Sequence, residues 1–209
     1  IGQWVFSHQG LPHRAIQMTV TKQQEDITHF DDYKKTMIAC HYLSLKDGLN
    51  RCYQTQKGEP QALIWGDSHA EHLLPGLSQI SSDKNWLLLS RSSCPSLLGI
   101  KAYWSGDYEF CQKTNNKILE IIKAHSSIHQ VILSSIGLFY LSDDEDGNNV
   151  AAGHNGKFAP RNFHLEYPED LNLNKEQVFR LGLEQTVNAL LKAHKEVILV
   201  EDIPLSVSY

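Results

Sequence analysis

The sequence predicts an α/β domain built on a mainly parallel sheet, preceded by an N-terminal extension. Two observations carry this reading. Four short apolar runs of strand length recur along the chain: "ALIWG" (62–66), "WLLLS" (86–90), "QVILSSI" (130–136) and "EVILVED" (196–202). Continuous runs of that kind fit strands buried on both faces. Helical candidates alternate with them at 68–80, 108–125 and 175–194, and such alternation gives a parallel sheet with helices on both faces. A chain of 209 residues holds one such core with an appendage.

Taken in order, residues 1–59 are polar and mixed, with Pro12 and Gly48 as punctuation and a helical stretch expected near Phe30 to Tyr42. They read as an extension packed on an α/β domain of residues 60–209. The first core strand ends at Gly66, and a helix follows from Ser68. The second strand leads into a loop, Ser92 to Asp107, and the third into a long loop, Ser142 to Asn174, whose opening "SDDEDGNN" reads as solvated acids. In the last helix, Val178, Leu181, Leu183, Val187, Leu190 and Leu191 recur at helical spacing. Ligand crevices of open parallel sheets form outside the carboxyl ends of the strands. Gly66-Asp67-Ser68 and both loops are therefore expected at one edge.

Composition excludes several classes. Acidic residues number 24 against 19 basic, for a net charge of −5, and the lysines and arginines are scattered, so no nucleic-acid footprint exists. The longest apolar run, Val131 to Leu141, is interrupted by Ser134 and Ser135 and falls below the roughly 18 to 20 residues of a membrane span. The chain begins with Ile1 and shows no signal peptide, which reads as a fragment of a longer chain. Cys40, Cys52, Cys94 and Cys111 allow three pairings and contain no C-x-x-C, which argues against zinc. Sequential pairing is the simplest of the three, and reduced buried cysteines are the alternative.

Ser68 poses the central choice between a helix cap and a nucleophile. As a cap it would form an S-x-x-E box with Glu71. As a nucleophile it would stand on a strand-to-helix turn, its hydroxyl at the sheet edge and its own amide ready to stabilise an oxyanion. Gly66 would admit a substrate closely, and Asp67 could orient the turn by bonding backbone amides.

The residues "GDSHA" (66–70) after an apolar strand resemble the first block of the SGNH hydrolase superfamily. The longer "LIWGDSHAEHLLPGL" (63–77) is similar to the periplasmic SGNH domain fused to membrane acyltransferase-3 proteins that O-acetylate surface polysaccharides. "SSCPSLLG" (92–99), a cysteine pair before the block and "VILSSIGLFY" (131–140) agree with that branch. The resemblance covers about Cys40 to Pro204 and implies an SGNH-hydrolase-like three-layer α/β/α fold with Ser68 as the catalytic nucleophile. It also implies Asp67 and Gly66 as oxyanion and active-site support, with Ser93 and Gly137 near the places where the family has its second-block glycine and third-block asparagine, neither of which is plain in this sequence, and disulfides Cys40–Cys52 and Cys94–Cys111. The second disulfide would pin a loop carrying Tyr103, Trp104 and Tyr108, whose aromatic faces could stack on sugars or simply roof the core. His69 is read as structural or as a substrate contact. His69 and His72 lack further ligands at recognisable spacing, so no metal is expected.

The pattern also departs from the family. The superfamily takes its acid and base from a D-x-x-H near the C-terminal end, and only Leu205 to Tyr209 follow "VILVEDIP". The D-x-x-H is therefore expected beyond Tyr209. Asp202 reads as structural, and the one D-x-x-H present, Asp26 to His29, precedes the serine and reads as a capped helix start.

The resemblance implies that this is the periplasmic domain of a bacterial inner-membrane O-acetyltransferase. Its partners would be an N-terminal acyltransferase-3 membrane domain of the same chain and a polysaccharide acceptor such as lipopolysaccharide O-antigen. No cofactor would be bound by the domain itself, with acetyl-CoA as ultimate donor through the membrane part. His154, His164 and Arg161 of the long loop are candidate glycan contacts. A carbohydrate O-acetylesterase and a non-catalytic glycan-binding module are the competing readings.

Overall fold

Strand β3 (Ala62–Gly66) lies between β4 (Trp86–Ser90) and β6 (Gln130–Ser134), parallel to both and buried along its whole length. In this computed structural model, residues 37–40, 42, 51–104, 110–136, 140–141, 163–170 and 172–201 are described. The sheet has the order β1 (Ile38–Ala39), β2 (Arg51–Gln54), β4, β3, β6, β8 (Glu196–Val200). β8 continues it in parallel, whereas β1 and β2 add two antiparallel edge strands. The expected α/β fold with a mainly parallel sheet is present.

Alternation along the strands divides the core. Leu63, Trp65, Leu87, Leu89, Val131 and Leu133 face one cluster, built with Ile118, Ile121 and Ile122 of α3 (Phe110–Ala124) and Leu190 of α4 (Lys175–Lys192). Ile64 and Leu88, also buried, face the other side. On that side α1 (Ser68–Glu71) packs on β3 and α2 (Leu73–Ile80) on β4. Each such buried Leu or Ile stabilises by about 1.5–3 kcal/mol. Asn174 starts α4 with a capping box, its side chain accepting from Gln177 N while Gln177 answers the Asn174 amide.

Three expectations change. Ile38–Ala39 and Arg51–Gln54, expected in the extension, are strands of the sheet: β2 pairs with β4 from Arg51↔Ser90 to Gln54↔Leu87, and the compact unit begins at Ile38. The helix expected near Phe30 to Tyr42 is a strand at Ile38–Ala39, since pairing with β2 overrides local helical preference. The rest of that stretch to residue 36 lies outside the described residues. The two loops over the sheet edge contain strands of their own, β5 (Lys101–Trp104) and β7 (Phe163–Glu166), paired antiparallel.

All four cysteines are paired, Cys40–Cys52 and Cys94–Cys111, with Cα separations of 5.2 and 5.4 Å. Among the described residues no helix is long and apolar enough to cross a membrane.

The segment after β4 is fixed by buried polar side chains. Asn115 donates to the carbonyls of Pro95 and Leu97 and accepts from Trp65 Nε1 at 3.1 Å. Thr186 accepts from Leu98 N at 2.9 Å, and Ser96 donates to the Trp65 carbonyl at 3.0 Å. Such satisfied internal bonds make a connecting segment rigid, so the wall beside the carboxyl edge of β3 is held from beneath.

Candidate active site

β3 delivers Gly66 to the carboxyl edge of the sheet, in register with Ser90 of β4 and Ser134 of β6. A Cβ at Gly66 would fall 1.7 Å from the Ser134 carbonyl oxygen and 2.9 Å from Ala70 Cβ. Only glycine lets the two strands and the first turn of α1 approach this closely.

The chain then turns at Asp67 and enters α1 at Ser68. Asp67, not Ser68, caps the helix: its Oδ1 accepts from His69 N at 2.8 Å. Glu71 does not close a capping box either. Only 5 % exposed, it accepts from Ser90 Oγ at 3.0 Å and forms an ion pair with Arg51 of β2. The cap is thus supplied from outside the helix, and among the described residues no side chain holds the Ser68 hydroxyl. Ser68 is half-buried at the rim. As the first helical residue it carries an amide that the helix ladder does not use.

Asp67 is fully buried. Besides capping α1, its Oδ2 accepts from Ile136 N at 3.0 Å and from Tyr140 Oη at 2.7 Å. One carboxyl therefore ties the serine turn to the segment after β6. Burial pushes its pKa above the ordinary carboxylate range, and the donations from Tyr140, Ile136 and His69 and the nearby His69 charge hold it back.

The other sequence candidates separate. Ser93 stands after β4, at the same edge, with φ 59° in the left-handed region. Gly137 lies outside the described residues. His69 is half-buried, its ring centroid 5.7 Å from that of His72. Tyr103 is buried, donates to Glu166 and lies against the exposed His164, ring centroids 5.1 Å apart. Its ring is thus engaged within the β5–β7 ribbon. Trp104 closes β5, and its side chain lies outside the described residues, as do Tyr108, His154, Arg161 and Asp202 and the whole Asp26–His29 segment. Among the described residues no three His, Cys, Asp or Glu side chains gather to hold a metal.

Sequence reasoning missed Arg51, Ser90 and Tyr140. Arg51 lay in the supposed extension, and Tyr140 in an apolar run that reads as core. An ionisable Glu71 on a turn otherwise bound for burial was the one signal that a cation had to come from elsewhere.

A family model, SGNH domain (fused to AT3 domains), matches residues 39–209. It identifies an SGNH hydrolase-type enzyme domain, with acyl transfer or ester hydrolysis through a serine as its chemistry, in a membrane-protein context set by the AT3 fusion. No curated protein and no solved structure matches the chain. With β2 inside the matched span as it is inside the sheet, the chain belongs to the family of SGNH domains fused to AT3 domains.

Proposed function

We propose that this is the exported, periplasmic domain of an O-acetyltransferase that moves an acetyl group through an acyl-serine onto a sugar hydroxyl of a surface polysaccharide such as lipopolysaccharide O-antigen. One observation carries the reading: Asp67 takes the capping role, so that among the described residues the Ser68 hydroxyl stands uncommitted at the carboxyl edge of the parallel sheet. Two disulfides support an oxidising compartment.

In the first step Ser68 Oγ attacks the carbonyl carbon of an acetyl group presented by the membrane domain, whose own donor is acetyl-CoA. The serine proton passes to a histidine base, which by family resemblance belongs to a D-x-x-H segment. The Ser68 amide steadies the oxyanion, the carrier leaves with a proton, and acetyl-Ser68 remains. In the second step a sugar hydroxyl gives its proton to the base and attacks the acyl-serine, which releases Ser68 as it was. Exclusion of water from the acyl-serine favours transfer over hydrolysis.

The experiment is Ser68→Ala in cells, read as acetyl content of the surface polysaccharide at matched protein levels. Loss of acetylation supports the relay, and unchanged acetylation would make the domain a glycan-binding module. Acetate released by the purified protein from acetylated polysaccharide, without transfer, would mark an esterase.

A further inference from the structure

Tyr140 is fully buried and packs on Phe163 of β7, ring centroids 4.8 Å apart, in a cluster with Cys94, Cys111 and Leu165. Packing alone would be served by phenylalanine, since a buried phenol must find a partner for its hydroxyl. That partner is Asp67 Oδ2, at 2.7 Å. The same carboxyl accepts from Ile136 N and His69 N, so it joins the serine turn to two points after β6, Ile136 and Tyr140, the second backed by Phe163 of the β5–β7 ribbon.

We infer that Tyr140 is a positioning residue: by donating to Asp67 it locks the Ser68 turn against the segment after β6, fixing where the Ser68 amide and hydroxyl point. The inference rests on Ser68 as nucleophile. The charged groups around Asp67 leave room for this role. α1 presents His69, whose positive form favours the carboxylate, and Glu71, which is turned to Arg51 and Ser90. Arg91 approaches this turn through its backbone, its amide donating to the Gly66 carbonyl, and its guanidinium does not titrate over the range of the test. From the segment after β6 the Tyr140 hydroxyl favours ionised Asp67. A protonated carboxyl surrenders one acceptor position to its own proton, and the lock loosens.

The test is Tyr140→Phe in the full-length protein, with two readouts. One is the rate of Ser68 labelling by a fluorophosphonate across pH, with Ser68→Ala as the blank. The other is hydrogen exchange at the His69 and Ile136 amides. Losing one hydrogen bond to a charged group should slow labelling at neutral pH by about tenfold, with recovery as the pH rises, and should speed exchange at both amides. Phe163→Leu, which loosens packing but keeps the hydroxyl, should lower stability and leave the pH profile in place. A Tyr140→Phe protein with the wild-type profile and wild-type exchange would overturn the inference, as would an equal profile shift in Phe163→Leu. If the wild type itself does not label, the nucleophile reading fails, and unchanged exchange in Tyr140→Phe would then sink the lock as well.

Discussion

Asp67 and Glu71 stand on either side of Ser68, one helical turn apart and both buried, yet the protein holds them by different means. Asp67 meets three hydrogen-bond donors from α1, the segment after β6 and Tyr140, whereas Glu71 faces the Arg51 guanidinium on β2 and the Ser90 hydroxyl on β4. A carboxylate held by neutral donors remains sensitive to pH and to the position of each donor. One paired with a guanidinium keeps a full countercharge beside it, because the guanidinium itself stays protonated. The side of the turn that faces the site is therefore adjustable, and the side that faces the sheet is an anchor. Each side has its own staple: Cys52 follows Arg51 on β2, and Cys94–Cys111 lies in the cluster around Tyr140.

Removing the anchor's cation should have the largest effect. Arg51→Ala leaves Glu71 buried without a countercharge, at a cost of about 3–5 kcal/mol, read by denaturant unfolding. Arg51→Met with Glu71→Gln should recover most of that loss, because the penalty lies in the orphaned charge. A double variant as unstable as the single would show instead that packing of the guanidinium matters.

Breaking either disulfide comes next. With cysteines 12 and 17 apart in sequence, the chain-entropy estimate gives about 3 kcal/mol each. If the staple on β2 serves the anchor, Cys40→Ser/Cys52→Ser and Arg51→Ala should be non-additive, whereas Cys94→Ser/Cys111→Ser and Arg51→Ala should add. Additivity in both pairs would remove the link between staple and anchor.

The adjustable side should respond to pH. Asp67→Ala strands the buried Tyr140 hydroxyl, at about 1–3 kcal/mol, and leaves the half-buried His69 and Ile136 amides without their carboxylate. Because burial raises the folded pKa of Asp67 above its unfolded value, its stabilising contribution is complete below the unfolded carboxylate range and declines as the pH rises through the folded value. The stability gap between wild type and Asp67→Asn should therefore be widest in acid and narrow toward neutrality, measured as Tm against pH. A gap that widens with pH would mean that the three donors outweigh burial.

The two sides also differ in how far they could be read from sequence. The adjustable side begins in "ALIWGDS", where a continuous apolar run names the strand and the following Gly-Asp-Ser names the turn. Its completion by Tyr140 depends on a contact across 73 positions, which no local pattern encodes. The anchor was illegible because Arg51 sits in a polar stretch, and only pairing with β4 makes that stretch a strand. The ribbon of β5 and β7 escaped notice for the same reason, its register Lys101↔Glu166 being wholly non-local. Apolarity also overstated burial: β8 is as apolar as β3, yet Leu199 is 54 % exposed among the described residues because β8 stands last in the sheet order.

Ser90→Ala should give the smallest effect and divides the anchor most finely. It removes the only hydroxyl donor recorded for Glu71 among the described residues and leaves the Arg51 pair intact, so the expected cost is about 1 kcal/mol. The missing hydroxyl leaves a small gap at a fully buried site, yet the guanidinium still neutralises the carboxylate. Ser90 also pairs through its backbone with Arg51 and, on the other side, with Gly66, and those ladders do not depend on its side chain. Ser68 labelling should therefore keep its wild-type pH profile in Ser90→Ala. A profile displaced like that of Tyr140→Phe would mean that the anchor, too, transmits to the nucleophile, and the division between a fixed side and an adjustable side would not stand.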